Sequence, residues 1–138
     1  MVKKPFDRNA YQVYDQPAKQ ITKQYFKKFN IKLIDNPNKY CADLIYENNY
    51  YVECEIRTGW KSGDFPWPLI NLPARKEKFL NLDMPVVFFI WNKNLTSAMS
   101  IKGDVVKKSN KEIVPNRLVR YGEEFFRIPT PQARQVYI

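Results

Sequence analysis

Asp43, Glu53, Glu55 and Arg57 are the residues of this chain whose types and spacing can do chemistry. The stretch "YYVECEIR", residues 50–57, alternates in the manner of a strand packed on one face. Strand side chains point alternately to the two faces of a sheet. Tyr50, Val52, Cys54 and Ile56 therefore share one face, and Tyr51, Glu53, Glu55 and Arg57 the other. A preceding strand over about 40–46, joined through Glu47-Asn48-Asn49, sorts the same way. Ala42, Leu44 and Tyr46 lie on one of its faces, and Cys41, Asp43 and Ile45 on the other. Keeping the apolar sets together fixes the register, because a one-residue slip would turn a whole set outward. Leu44 then opposes Val52, Ala42 opposes Cys54 and Asp43 opposes Glu53, with Glu55 diagonal to Asp43. Directly opposed Cβ atoms stand ~4.5–5.5 Å apart.

Carboxylates gathered this closely repel one another and raise each other's pKa unless a cation lies between them. Hard oxygen ligands suit Mg²⁺, Mn²⁺ or Ca²⁺. The other reading is an exposed strand face on which Arg57 and nearby lysines neutralise the acids, and the pattern alone leaves both open. Cys41 and Cys54 fall on opposite faces, which predicts two free thiols, each a small buried hydrophobe.

Composition narrows the chemistry further. The chain has no His, which excludes a Ser-His-Asp triad, a His-based zinc site and a His-metal nuclease. A general base must be Asp, Glu, Lys, Tyr or water activated by a metal. Lys and Arg number 23 against 14 acids, a net charge of +9. Such an excess favours a polyanionic partner, most simply nucleic acid, or else serves solubility. No apolar run approaches the ~20 residues of a membrane span. "MVKKPFDRNAY" carries no apolar h-region, so no signal peptide is expected. No membrane partner and a cytoplasmic location follow as expectations.

The elements that must position these residues are those of one α/β domain of 138 residues. Residues 1–16 read as an irregular lead-in. "PAKQITKQYFKKF" reads as a helix with Asp15 as N-cap and Pro17 in its first turn. Its apolar stripe is Ile21, Tyr25 and Phe29, with Phe26 beside it. Lys19, Lys23, Lys27 and Lys28 face elsewhere, toward solvent or phosphate. "IKLID" (31–35) is a short strand, "NPNK" a turn, and the two strands above follow. "TGWKSGDFPWP" is a loop, "LPARKEKFLNL" (72–82) a second helix and "MPVVFFIWN" a central strand. "TSAMSIKG" and "EEFFRIP" read as further strands, and the last residues as an arm. The order α-β-β-β-α-β predicts a mixed sheet flanked by helices, with a core over about 17–102 and an extension over 103–138.

That order, with Asp43 ending one strand and Glu53-Cys54-Glu55 inside the next, resembles the PD-(D/E)XK nuclease superfamily and its restriction-endonuclease-like core. The resemblance covers roughly residues 17–92. It implies that Asp43 and Glu53 bind a divalent metal, Mg²⁺ or Mn²⁺. The family's usual Lys, two residues after the second acid, is Glu55 here. A reading shifted by two makes Glu55 the ligand and Arg57 the basic residue, although "YV" before Glu53 favours the unshifted one. Ala42 stands where the family's nominal Pro would be. Lys76 on the second helix can supply the missing Lys, since some members move the basic residue there, and Lys61 is another source. The family's acid on the first helix has no counterpart in residues 17–30, where Gln20 and Gln24 are the polar alternatives.

Catalytic roles thus fall to Asp43, Glu53, Glu55, Arg57 and Lys76. Glu55 would complete the coordination or accept a proton, and Arg57 would clamp phosphate or pair with an acid. Arg75 and Lys78 would meet phosphate or solvent. In the Gly- and Trp-rich loop, Trp60, Phe65 and Trp67 would stack on bases or pack as core. The expectation is a metal-dependent endonuclease acting on DNA, possessing, by family analogy, a homodimeric form. Small size and an abundance of Lys, Asn, Ile and Tyr, as an AT-rich genome encodes, fit a bacteriophage or mobile element, acting in the host cytoplasm. The alternatives are an inactive nucleic-acid-binding protein on the same fold, or an interaction protein for an acidic partner.

Overall fold

The structure, a computed structural model, describes residues 14–115 and 121–138. Most of the expected lead-in, residues 1–13, lies outside these. The chain forms a mixed six-stranded sheet and a separate three-stranded antiparallel sheet. In chain order the strands are β1 (Ile34–Asp35), β2 (Leu44–Tyr46), β3 (Tyr50–Arg57), β4 (Leu69–Pro73), β5 (Val86–Asn92), β6 (Ser97–Lys102), β7 (Asn110–Val114), β8 (Glu123–Pro129) and β9 (Arg134–Tyr137). Helix α1 spans Gln16–Lys27 and a short α2 spans Gly103–Lys108. The main sheet runs β1-β2-β3-β5-β6-β9, and the small one β4-β8-β7. The pair β3–β5 is parallel and the rest of the main sheet antiparallel.

The main sheet packs apolar side chains on both faces. On one face, Leu44, Val52, Cys54, Phe89 and Trp91 meet Ala18 and Phe26 of α1. The face of α1 that packs is Ala18, Thr22 and Phe26, rather than the Ile21-Tyr25-Phe29 stripe. Ile21 and Tyr25 flank it, and Phe29 is 58% exposed. Thr22 can occupy a buried position because its hydroxyl donates to the Ala18 carbonyl (2.6 Å) and accepts from Trp91 Nε1 (2.8 Å). On the other face, Val86, Phe88, Ile90, Met99 and Ile101 meet Ile70, Leu72, Phe79, Phe126 and Ile128. The expected helical cover on this face is instead the small sheet, α2 and a 3-10 segment.

Several expectations about elements change. Residues Ala74–Asn81 form that 3-10 segment, preceded by strand β4, in place of one helix over 72–82. The last residues are no arm, since β9 pairs with β6, Ala98 facing Val136. The extension from 103 onward thus contributes strands to both sheets. Strand β2 begins at Leu44, so Ala42 has left the sheet and joins the opposite core from Cys54. The register itself is as read from the pattern, Leu44 facing Val52. Cys41 and Cys54 are free thiols.

Candidate functional site

Residue Asp43 sits one position before β2, where the ladder to β3 stops. The Cys54 N–H would otherwise lose its partner there, and Asp43 Oδ2 accepts from it at 3.1 Å. In return the Asp43 N–H donates to Glu53 Oε1 (3.2 Å). The two acids are locked to each other's strands, as the hairpin pattern requires. Glu53 and Glu55 project from β3 toward the small sheet, into the layer that also holds Phe88 and Ile90.

The 3-10 segment brings the cations. Lys76 Nζ lies 3.0 Å from Glu53 Oε2 and 3.8 Å from Glu55 Oε1. Arg57 Nη2 donates to Glu55 Oε2 at 3.2 Å and to the Asn71 carbonyl of β4 at 3.0 Å. Arg75 pairs with Glu123 of β8 at 3.0 Å. Asp43, Glu53, Glu55, Arg57, Arg75 and Lys76 all line one cavity of about 630 Å³.

The other residues named from the sequence lie elsewhere. Lys78 reaches over the Phe79 ring, 5.0 Å from its centroid, and Lys61 is exposed on the loop after β3. Neither lines the cavity. Trp60 is 1% exposed and donates from Nε1 to the Gly63 carbonyl (3.1 Å). It is core and presents no face for base stacking. Gln20 and Gln24 are exposed and do not reach the cavity.

Asp15 and Tyr14, which the sequence did not assign to the site, line the cavity. Asp15 has helical backbone angles (φ −69°, ψ −43°) and its side chain makes no capping bond. Its carboxyl lies near Lys76, Glu53 and Glu55 as well as Lys19 of its own helix. Burial raises its pKa, Lys76 opposes this, and Glu53 and Glu55 add to the rise. An acid just ahead of an amphipathic helix was the available signal, but Pro17 made a cap the simpler reading.

Electrostatics differ along the row. Burial, with Asp43 beside it, pushes the Glu53 carboxyl up to about 7 against the pull of Lys76. For Glu55, burial also acts upward, but Arg57 and Lys76 outweigh it and hold the carboxyl below its usual range. Burial would lower the Lys76 ammonium, yet Glu53 and Glu55 raise it further, so it stays charged. Along this row Glu55 is held ionised, Lys76 is held charged and Glu53 titrates near neutrality. A carboxyl poised this way suits proton transfer or exchange of its proton for a cation.

Among the described residues no group of three or more Asp, Glu, Cys or His forms a ready metal cage. The donors present are the facing Asp43 and Glu53 carboxylates. This set fits a hard cation that keeps much of its water, as Mg²⁺ does when one or two carboxylates hold it beside a phosphate. No helix among the described residues is long and apolar enough to cross a membrane. No protein-family model matches the chain, and no curated protein sequence matches it.

Proposed function

We propose that this protein is a metal-dependent endonuclease that hydrolyses phosphodiester bonds in DNA, with a restriction-endonuclease-like core of the PD-(D/E)XK type. The observation that carries the reading is the position of Lys76, whose ammonium is 3.0 Å from Glu53 and 3.8 Å from Glu55. The family's Lys is missing from β3, and a lysine of the 3-10 segment comes to the same acids. The parallel β3–β5 pair, with α1 on one side, supports the core topology.

In this reading Asp43 and Glu53 hold Mg²⁺ or Mn²⁺. Bound there, the ion would neutralise phosphate charge and activate water. Lys76 orients Glu53 and neutralises charge that develops on the phosphate. Glu55, ionised and pinned by Arg57, fixes Lys76 from its other side. Arg57 meets the phosphodiester through Nη1, the nitrogen that Glu55 and Asn71 leave open, as one charge-assisted hydrogen bond. Asp15, across the cavity, takes the place of the first-helix acid. The net charge of +9 supplies the attraction to a polyanion.

Supercoiled plasmid incubated with Mg²⁺ or Mn²⁺ tests this. Nicking or linearisation is expected, lost with EDTA and with Glu53→Ala. A specific observation favours a second reading, an inactive nucleic-acid-binding protein: Lys76 and Arg57 already occupy oxygens of Glu53 and Glu55. Binding of DNA at ~50 mM salt without cleavage by any divalent metal would select it.

A further inference from the structure

A second cavity, of about 380 Å³, adjoins the carboxylate site and shares Arg57 and Asn71 with it. Its other walls include Phe65, Trp67 and Arg127. Three features there are unaccounted for by the fold. Trp67 is 43% exposed although its surroundings are well ordered by hydrogen bonds. Its carbonyl accepts from Thr130 Oγ1 (2.6 Å), the Pro68 carbonyl accepts from the Thr130 N–H (2.9 Å), and its ring stands edge-on to Phe65 at 5.2 Å. Arg127 forms no ion pair among the described residues. Asn71 and Arg127 are cross-strand partners, and the Asn71 Oδ1 acceptor and the Arg127 Nε donor are both buried and unpaired.

A buried donor and acceptor left unmet are costly, and native proteins satisfy nearly all of them. Here they lie beside an indole held in place, with a second guanidinium, Arg57, between this cavity and the acids. An aromatic face, an unpaired amide oxygen and two guanidiniums are what a nucleotide needs: a stacking platform, a hydrogen-bond partner and phosphate contacts. A base paired in a duplex cannot offer its face to a side chain, whereas an unpaired one can.

We propose that this cavity takes one unpaired nucleotide of the nucleic acid, its base stacked on Trp67 and its phosphate at Arg127, so that the strand passes by Arg57 to the carboxylates. This rests on the nuclease reading for its geometry and extends it to the substrate class, single-stranded or flap-containing DNA. On binding, the Asn71 and Arg127 side chains would turn toward the ligand, so that the now buried Oδ1 meets the base and the guanidinium meets the phosphate.

The test is binding of the full chain to fluorescein-labelled oligothymidylate, to an abasic strand of equal length and to a duplex, all in EDTA. Cleavage is then not needed for the readout. Trp67→Ala is expected to weaken binding of oligothymidylate about tenfold, and Trp67→Phe to restore most of it. Trp67→Ala should leave the abasic strand and the duplex within about twofold of wild type. Arg127→Gln should weaken both single strands. Thermal melting of each variant confirms folding, and Trp67 is exposed enough for its removal to be tolerated. Equal loss on all three probes with Trp67→Ala, or no loss on any, overturns the proposal. Metal-dependent cleavage that persists while these differences are absent sinks this inference alone. The expected differences without cleavage sink the nuclease reading alone.

Discussion

Lys76 Nζ lies 3.0 Å from Glu53 Oε2, and the two residues, 23 positions apart in the sequence, meet only in the folded chain. Each changes the other's protonation. The lysine stays charged because it faces Glu53 and Glu55, and Glu53 still titrates up to about 7 because burial outweighs the lysine. The pair is a poised arrangement rather than a neutralised salt bridge.

Removing the lysine tests this first. Lys76→Ala leaves Glu53 buried beside Asp43 without its nearest cation, so the carboxyl holds its proton at pH 8, which from a pKa of about 7 costs about 1.4 kcal/mol. Urea denaturation at pH 8 should show a loss of that order. At pH 5.5, where Glu53 is protonated, the loss should shrink. A loss equal at both pH values would contradict the assigned pairing.

Glu53 also predicts a pH dependence in metal-free protein. Its folded pKa, about 7, lies above the ordinary 4.5, so the folded state binds the proton more tightly than the unfolded state. Its contribution therefore favours the fold below pH 4.5 and is lost as pH rises from there to about 7. A shift of this size corresponds to ~3 kcal/mol at most. The stability of Glu53→Gln relative to wild type should rise across that window and level off above it. Glu55 acts below the window, since its lowered pKa matters only in acid. A stability difference between the variant and wild type that is flat from pH 4.5 to 7 would remove Glu53 as the titrating group.

The docking of α1 depends on one buried hydroxyl. Thr22→Val keeps the shape but leaves the Trp91 Nε1–H without its 2.8 Å acceptor. An unmet buried donor costs about 1–3 kcal/mol. Chemical denaturation should show that loss, and Thr22→Ser, which keeps the hydroxyl, should lose less. Equal losses would mean that the methyl group matters more than the bond.

Legibility in the sequence followed the reach of each signal. The facing of Leu44 and Val52, and with it the approach of Asp43 to Glu53, was readable because a two-residue period and a short turn fix a local hairpin. The buried stripe of α1 lies one step from the one its pattern suggests, because Thr22 looks polar and only its contact with Trp91, 69 residues away, makes it core. Asp15 reads as a cap because capping is a local rule, whereas its approach to the acids is set by how α1 lies on the sheet. Strand β9 was missed for the same reason: "RQVY" carries little pattern alone and becomes a strand by pairing with β6. Lys76 could be named only by analogy, since nothing local links it to Glu53.

In the proposed function, Asp43 and Glu53 together hold the divalent cation on which cleavage depends. Anomalous scattering from crystals soaked in Mn²⁺ at pH 8, above the Glu53 pKa, measures it most directly. A manganese peak is expected within coordination distance of Asp43 and Glu53, about 2.0–2.3 Å from a carboxylate oxygen of each, and its loss in Asp43→Asn. No peak between these residues at millimolar Mn²⁺, or one that survives Asp43→Asn, would contradict it.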